Sequence, residues 1–266
     1  MSSSIVETDH LRREFGDVVA VDGLTVGIGS GSIFGLLGPN GAGKSSVVKM
    51  LTTLLPPTSG TAHVAGFDIR HDAANVRRHI GYVPQLLSAD GALTARENLQ
   101  LAARLYGIPH RTRRNRIDEM LAFMGLTDVG DRLVRTYSGG MIRRVELAQA
   151  MLHQPDVLFL DEPTIGLDPI ARHAVWDRLT ALRKQSGTTI LLTTHDMEEA
   201  DVLCDTIAIL HQGVVVANGS PAELKASVSP EASLDDVFAH YGGGTITEGG
   251  NYHDVRQTRR AVRRLG

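Results

Sequence analysis

The sequence predicts an α/β fold: a core on a mainly parallel sheet, an antiparallel β subdomain at the N-terminus, and a helical subdomain inserted into the core. Three observations carry that prediction. Short apolar runs recur with helical patterns between several of them, the alternation that builds a parallel sheet covered by helices. The opening IVETDHLRREFGDVVAVDGLTVGIGSG alternates and is broken by glycines, as small antiparallel strands do. From about Leu93 to Met151 the strand signal vanishes.

In chain order, SIFGLL, HIGYVP, DVLFLD, TTILLTT and TIAILHQGVVVANG read as strand segments. SVVKMLTTLL, after the first of them, is an apolar helix. TARENLQLAARLYG and RRNRIDEMLAFMGL are amphipathic helices. TYSGGMIRRVELAQA turns into a third, with Ser138 as N-cap and the amides of Gly139, Gly140 and Met141 at its positive end. Asp196 is an N-cap for MEEADVLCD, and Ser220 caps SPAELKAS with Pro221 in its first turn. SLDDVFAHY reads as one more helix. The expected division is a domain over 1–225, with its helical subdomain at about 86–153, and an extension over 226–266. In that extension GGGTITEGGN is linker-like. The last eleven residues hold five arginines, read as a solvated tail, with a role at a membrane surface as the other reading.

Composition narrows the function classes. At 266 residues there is room for a sizeable core, and 42% hydrophobic with 21% charged residues is ordinary globular usage. A net charge of -3 supplies no electrostatic attraction for nucleic acid, so none is expected as a partner. Cys204 is the only cysteine, which excludes an internal disulfide and a thiolate metal cluster and fits a reducing cytosol. The start MSSSIVETDH lacks the basic and apolar regions of a signal peptide, and no apolar run approaches the roughly 20 residues that span a bilayer.

The chemistry begins at GLLGPNGAGKSS, which fits G-x-x-x-x-G-K-[ST] from Gly38 to Ser45, after a strand and before a helix. Across Gly38, Pro39, Asn40, Gly41, Ala42 and Gly43 the backbone can wrap phosphates with its amides pointing inward. Lys44 brings a point charge to the β and γ phosphates, and the Ser45 hydroxyl, followed by Ser46, is a Mg²⁺ ligand. VLFLDEPT delivers Asp161 and Glu162 at the end of a buried strand, where parallel sheets place ligand sites. Asp161 is expected to hold Mg²⁺, directly or through water, and Glu162 to polarise the attacking water. His195 ends TTILLTT on the same sheet edge and suits a γ-phosphate contact. Gln85 ends GYVPQ, where its amide can reach Mg²⁺ or the water.

Taken together these residues resemble the ATP-binding-cassette (ABC) ATPases, a family of P-loop NTPases, from about Ile5 to Ala226. The order is specific: an aromatic at Phe15, the Walker A loop 38–45, the Q-loop Gln85, the SGG signature 138–140, Walker B with Asp161 and Glu162, the GLD D-loop 166–168, and the switch His195. The resemblance implies ATP and Mg²⁺ as ligands, with Phe15 stacked on adenine and Glu162 as the catalytic carboxylate. It also implies two cassettes packed head to tail. Ser138, Gly139, Gly140 and Asp168 then contact ATP bound to the partner, so a site is complete only when a second ATPase subunit, expected to be an identical one, closes on it. Tyr137 and Met141 depart from the usual LSGGQ signature, while the serine and both glycines remain.

YSGGMIRRVELAQAML, FLDEPTIGLDP and LLTTHDMEEADVLCD resemble ATPase subunits of ABC-2 type exporters, including the daunorubicin and multidrug resistance class. The resemblance therefore implies an ATP-hydrolysing exporter subunit on the cytoplasmic face of the cell membrane. There it energises a separate transmembrane permease that docks near residues 86–98. A soluble ABC ATPase acting on a non-transport assembly and an importer ATPase are the alternatives.

Overall fold

The computed structural model describes residues 4–242. In chain order the strands are β1 (Ser4–Phe15), β2 (Val18–Gly29), β3 (Ile33–Leu37), β4 (Ser59–Val64), β5 (Phe67–Asp68), β6 (Ile80–Val83), β7 (Val157–Asp161), β8 (Thr189–Thr194), β9 (Thr206–His211) and β10 (Val214–Gly219). The helices are α1 (Lys44–Leu51), α2 (Ala73–His79), α3 (Ala95–Leu105), α4 (His110–Phe123), α5 (Gly139–Met151), α6 (Pro169–Ser186), α7 (Met197–Leu203), α8 (Pro221–Val228) and α9 (Leu234–Tyr241).

The α/β expectation is borne out. One sheet has the order β10-β9-β3-β8-β7-β6, with β9, β3, β8, β7 and β6 parallel and β10 antiparallel at its edge. Every residue of β3, β7 and β8 is buried, because helices or the second sheet cover both faces; that is why none of these strands alternates polar and apolar residues. The second sheet, β2-β1-β4-β5, is antiparallel. The sequence reading anticipated its first hairpin and not β4 or β5. The run 206–219 folds into two strands because Gln212 (φ 48°) and Gly213 (φ 82°) both take positive φ, as a tight hairpin turn demands.

Register places the site. Leu37 lies opposite Thr194, Asp161 opposite Thr193, and Val83 opposite Leu160. Four parallel strands therefore end along one edge, and the phosphate loop, Walker B, the switch histidine and Gln85 all leave from it.

Between β6 and β7 the chain is helical, as expected. Thr94 starts α3 with a reciprocal capping box to Glu97, and Ser138 starts α5 by accepting from Met141 N at 3.3 Å. Leu99, Ile117 and Leu121 of this block share one apolar cluster with Leu158, Ile190 and Leu192 of the sheet. Leu234 and Val237 of α9, beyond the expected boundary at 225, are buried in that same cluster. The linker-like GGGTITEGGN and the arginine-rich end lie outside the described residues. Among the described residues no helix is long and apolar enough to cross a membrane.

Phe159 sits wholly buried in β7, packed towards the antiparallel sheet and α1. Phe159→Ala should cost about 3–5 kcal/mol in urea unfolding; a loss below about 1 kcal/mol would show that this face tolerates a void.

Candidate functional site

The loop after β3 is shaped by close backbone approaches. A Cβ on Gly38 would collide with Leu210 O, and one on Gly43, at φ 107°, with Ala20 O, so both positions are restricted to glycine. Gly41, at φ 82°, has open space where a Cβ would stand. Ala42 is tied down through its carbonyl, which accepts from Gly213 N at 3.0 Å. Gly43 is the N-cap of α1 with no side-chain cap, leaving the first amides of the helix free to meet an anion.

Lys44 is buried and folds back over its own loop. Its Nζ donates to Gly38 O at 2.7 Å and Pro39 O at 3.3 Å, and pairs with Glu162 Oε1 at 3.0 Å. An ammonium has three protons, and each has a partner. The other oxygen of Glu162 lies 2.7 Å from His195 Nδ1. A carboxylate only accepts, so that ring nitrogen carries the hydrogen and leaves Nε2 towards solvent on a side chain 45% exposed.

Asp161 and Glu162 are neighbours in sequence yet reach different partners. Asp161 Oδ1 accepts from Ser45 Oγ at 3.1 Å and from Thr193 Oγ1 at 2.7 Å. Glu162 takes a positive φ of 51°, uncommon and strained for a side-chain-bearing residue, which turns its carboxylate out of the strand towards Lys44. Its amide donates to Thr193 Oγ1 at 3.0 Å and Thr193 O at 3.2 Å, holding that turn. Beside Asp161, burial chiefly and then that negative charge push the Tyr82 hydroxyl up to about 12, so it stays neutral.

A second layer supports His195. Asp196 caps α7 as expected, accepting from Glu198 N at 2.9 Å, and pairs with Arg172 of α6 at 2.6 Å. Buried Glu199 accepts from Thr164 Oγ1 at 2.7 Å and Trp176 Nε1 at 2.9 Å, joining the segment after Walker B, α6 and α7; burial raises its pKa. Helix α6 and these three residues escaped the sequence reading. The signals were there: Asp168 as N-cap, Pro169 at the first position, and Gly187 at φ 66° closing the helix.

The remaining predicted residues lie apart from this cluster. Exposed Gln85 follows β6, and no side-chain hydrogen bond joins it to Ser45, Asp161 or Glu162. Ser138 is exposed, and neither it nor Gly139 or Gly140 bonds to residues 38–46. Of the three amides expected to be free there, that of Met141 is taken by the cap; those of Gly139 and Gly140 are not. A Cβ on Gly140 would stand 2.7 Å from Ala171 Cβ, so this glycine also serves the packing of α5 on α6. Asp168 is exposed and caps α6 through Ala171 N at 2.9 Å. Phe15 ends β1 with 47% of its surface exposed, and the Arg13 guanidinium lies 4.5 Å from its ring centroid, covering one face.

Thr193 is fully buried and its hydroxyl serves both acidic residues. Thr193→Val keeps the shape and removes that bridge, and should cost about 1–3 kcal/mol in urea unfolding with a fall in turnover. Unchanged stability and turnover would mean that the hydroxyl does not hold the pair.

This site has known counterparts. Residues 21–165 match the family described as ABC transporter. The chain is similar to the daunorubicin/doxorubicin resistance ATP-binding protein DrrA of Streptomyces peucetius, 47% identical over 84% of this chain and 67% of that protein. It is also similar to the Nod factor export ATP-binding protein I of Ralstonia nicotianae, 45% identical over 84% of this chain and 69% of that one. Among solved structures it resembles the dimeric post-hydrolysis state of the ATP-binding cassette MJ0796 bound to ADP and Pi. There the TM-score is 0.72 and the identity 25%, over 81% of this chain and 98% of that one. With the phosphate loop, the acidic strand end and the histidine meeting on one sheet edge, the chain belongs to the ABC transporter family as an ATP-binding, ATP-hydrolysing subunit of the exporter type.

Proposed function

We propose that two copies of this chain sandwich ATP head to tail and that their closure drives a separate membrane permease for export. The observation that carries the chemistry is the run Lys44–Glu162–His195 under the phosphate loop. The amides left free in the glycine loop and in the first turn of α1 bind the phosphates, and Phe15 offers adenine the ring face that Arg13 leaves open. Ser45 Oγ and Asp161 Oδ1 set a hydroxyl and a carboxylate oxygen side by side at 3.1 Å, a donor set that suits Mg²⁺. These two residues would hold the ion, with Gln85 as a further oxygen, and the ion would neutralise phosphate charge when bound.

The paired ammonium has a consequence for turnover. A phosphate oxygen competes with Glu162 for Lys44, and the exchange leaves Oε1 free to accept a proton from the attacking water. His195 keeps Oε2 in place through Nδ1–H, and a contact from its exposed edge to the γ-phosphate requires a proton on Nε2 as well, both nitrogens then donating. The signature residues Ser138, Gly139 and Gly140, with Asp168, make no hydrogen bond to their own phosphate loop and serve the nucleotide of the other copy. The similar cassette that is dimeric with ADP and Pi bound supports the pairing of two cassettes.

For the permease we assign the loop 86–98, on the cytoplasmic face of the membrane. Leu86 is 82% exposed, and Leu87, Leu101 and Leu105 are exposed large apolar residues of this loop and of α3. A cavity of about 590 Å³ lined by Arg77 and Arg78 of α2 and by Leu105, Tyr106 and His153 supplies a concave, cationic and aromatic surface where α2 meets the subdomain. The relative named for Nod factor export supports the direction of transport. We keep 1–225 as the ATPase domain, with the helical subdomain at about 86–153.

Two measurements test this. Glu162→Gln should retain ATP binding, lower hydrolysis about 100-fold or more, and accumulate an ATP-bound dimer in size-exclusion light scattering; parental turnover would remove Glu162 as the base. Exchanging 86–98 for the loop of an unrelated cassette should abolish co-purification with the permease, whereas undiminished association would place docking elsewhere.

A further inference from the structure

The interior of α5 holds two charges that the nucleotide chemistry does not use. Arg143 and Glu146 are each 2% exposed and pair at 2.9 Å between Nη1 and Oε2. Isolated from water, such a pair is no better for stability than apolar side chains of the same volume. Its other bonds leave the helix, and all of them go to one loop. Arg143 Nη1 donates to Pro84 O at 2.7 Å, and Nη2 donates to Gln85 O at 2.9 Å. Glu146 Oε1 accepts from Ser88 N, from Ser88 Oγ at 3.1 Å, and from Ala89 N at 3.3 Å. The ion pair thus grips the segment 84–89 at both ends, with exposed Gln85, Leu86 and Leu87 held between.

The same helix begins at Ser138, one turn before Arg143, with the free amides of Gly139 and Gly140. Few side chains could replace this grip. The planar guanidinium reaches two carbonyls and a carboxylate at once, and a lysine ammonium has no such fork. Burial lowers the arginine's pKa while the charges of Glu146 and Asp161 oppose the shift, so the cation stands within the field of the Walker B carboxylate.

We propose that Arg143 and Glu146 are positioning residues that lock the Gln85 loop to the signature helix. The nucleotide state sensed by Gln85 in one subunit thereby moves the amides that the helix presents to the other. This rests on the head-to-tail dimer proposed above. A rigid link between two such elements gives their movements a shared free energy.

The test uses the full chain. Arg143→Lys keeps a cation opposite Glu146 and loses the fork; Arg143→Met with Glu146→Leu removes both charges at similar volume. In each, kcat should fall about tenfold while the KM for ATP stays within about twofold. Amide hydrogen exchange at Ser88 and Ala89 should quicken. In a Glu162→Gln background, Arg143→Lys should weaken ATP-driven dimerisation about tenfold. In the otherwise unaltered Glu162→Gln protein, which leaves Arg143 and Glu146 in place, ATP should alter exchange at Ser88 and Ala89 in step with the first turn of α5. Parental kcat in either folded variant, or exchange at the two segments changing independently, overturns the lock. If Glu162→Gln alone fails to dimerise with ATP, the dimer reading fails. If it dimerises and Arg143→Lys leaves the affinity unaltered, the lock alone fails.

Discussion

The site depends on one buried carboxylate held between a lysine and a histidine. Glu162 is taken out of water, which is costly for a charge, and the cost is offset because Lys44 pairs with one oxygen and His195 with the other. That arrangement requires the strained turn at Glu162, because a regular strand would alternate its side chain away from Asp161. It also requires Thr193, whose carbonyl and hydroxyl both receive the Glu162 amide. Two adjacent acidic residues can therefore take different work: Asp161 faces Ser45 and Glu162 faces Lys44.

Glycine does two jobs in this chain. At Gly41 the space beside the backbone is open, so the residue gives a ligand access. At Gly38 and Gly43 the space is filled by neighbouring carbonyls, so the same motif also allows the loop to rest on β2 and β9. The signature repeats the pattern. Gly139 and Gly140 keep free amides at a helix start, and both also let that start approach the D-loop and α6, where Leu167 and Ala171 stand at 3.2 and 2.7 Å from the missing Cβ positions. The two glycine-bearing helix starts are thus built alike, each with free amides and each packed too closely to admit a Cβ.

Legibility followed local physics. β3, β7 and β8 were plain because strands covered on both faces do not alternate polar and apolar residues, and the phosphate loop because its glycines, lysine and serine stand at fixed spacing. Ser138, Asp196 and Ser220 cap the helices they were expected to cap, since an N-cap is a contact within four residues. β4 and β5 were missed: SGTAHV and the two-residue FD carry few apolar residues and owe their pairing to β1 and to each other. The Lys44–Glu162 pair spans more than a hundred residues, and no periodicity reports it. Arg143 and Glu146 looked like an ordinary charged stretch of helix, because nothing local says that the face they share is buried.

Helix α5 is where these levels meet. Its first turn carries the free amides of Gly139 and Gly140, its middle grips the Gln85 loop, and its last turns, with Leu147 and Met151, lie in the core shared with the sheet. Near its end the helix touches the strand that leads to Gln85: a Cβ on Gly81 in β6 would meet Ala150 O at 2.5 Å. Close packing of that kind leaves little slack between the strand and the helix, as the lock proposed above requires. In the dimer proposed above, an element whose first turn serves one nucleotide and whose centre is fastened to the Gln85 loop of the other would give closure a short mechanical route to the membrane partner.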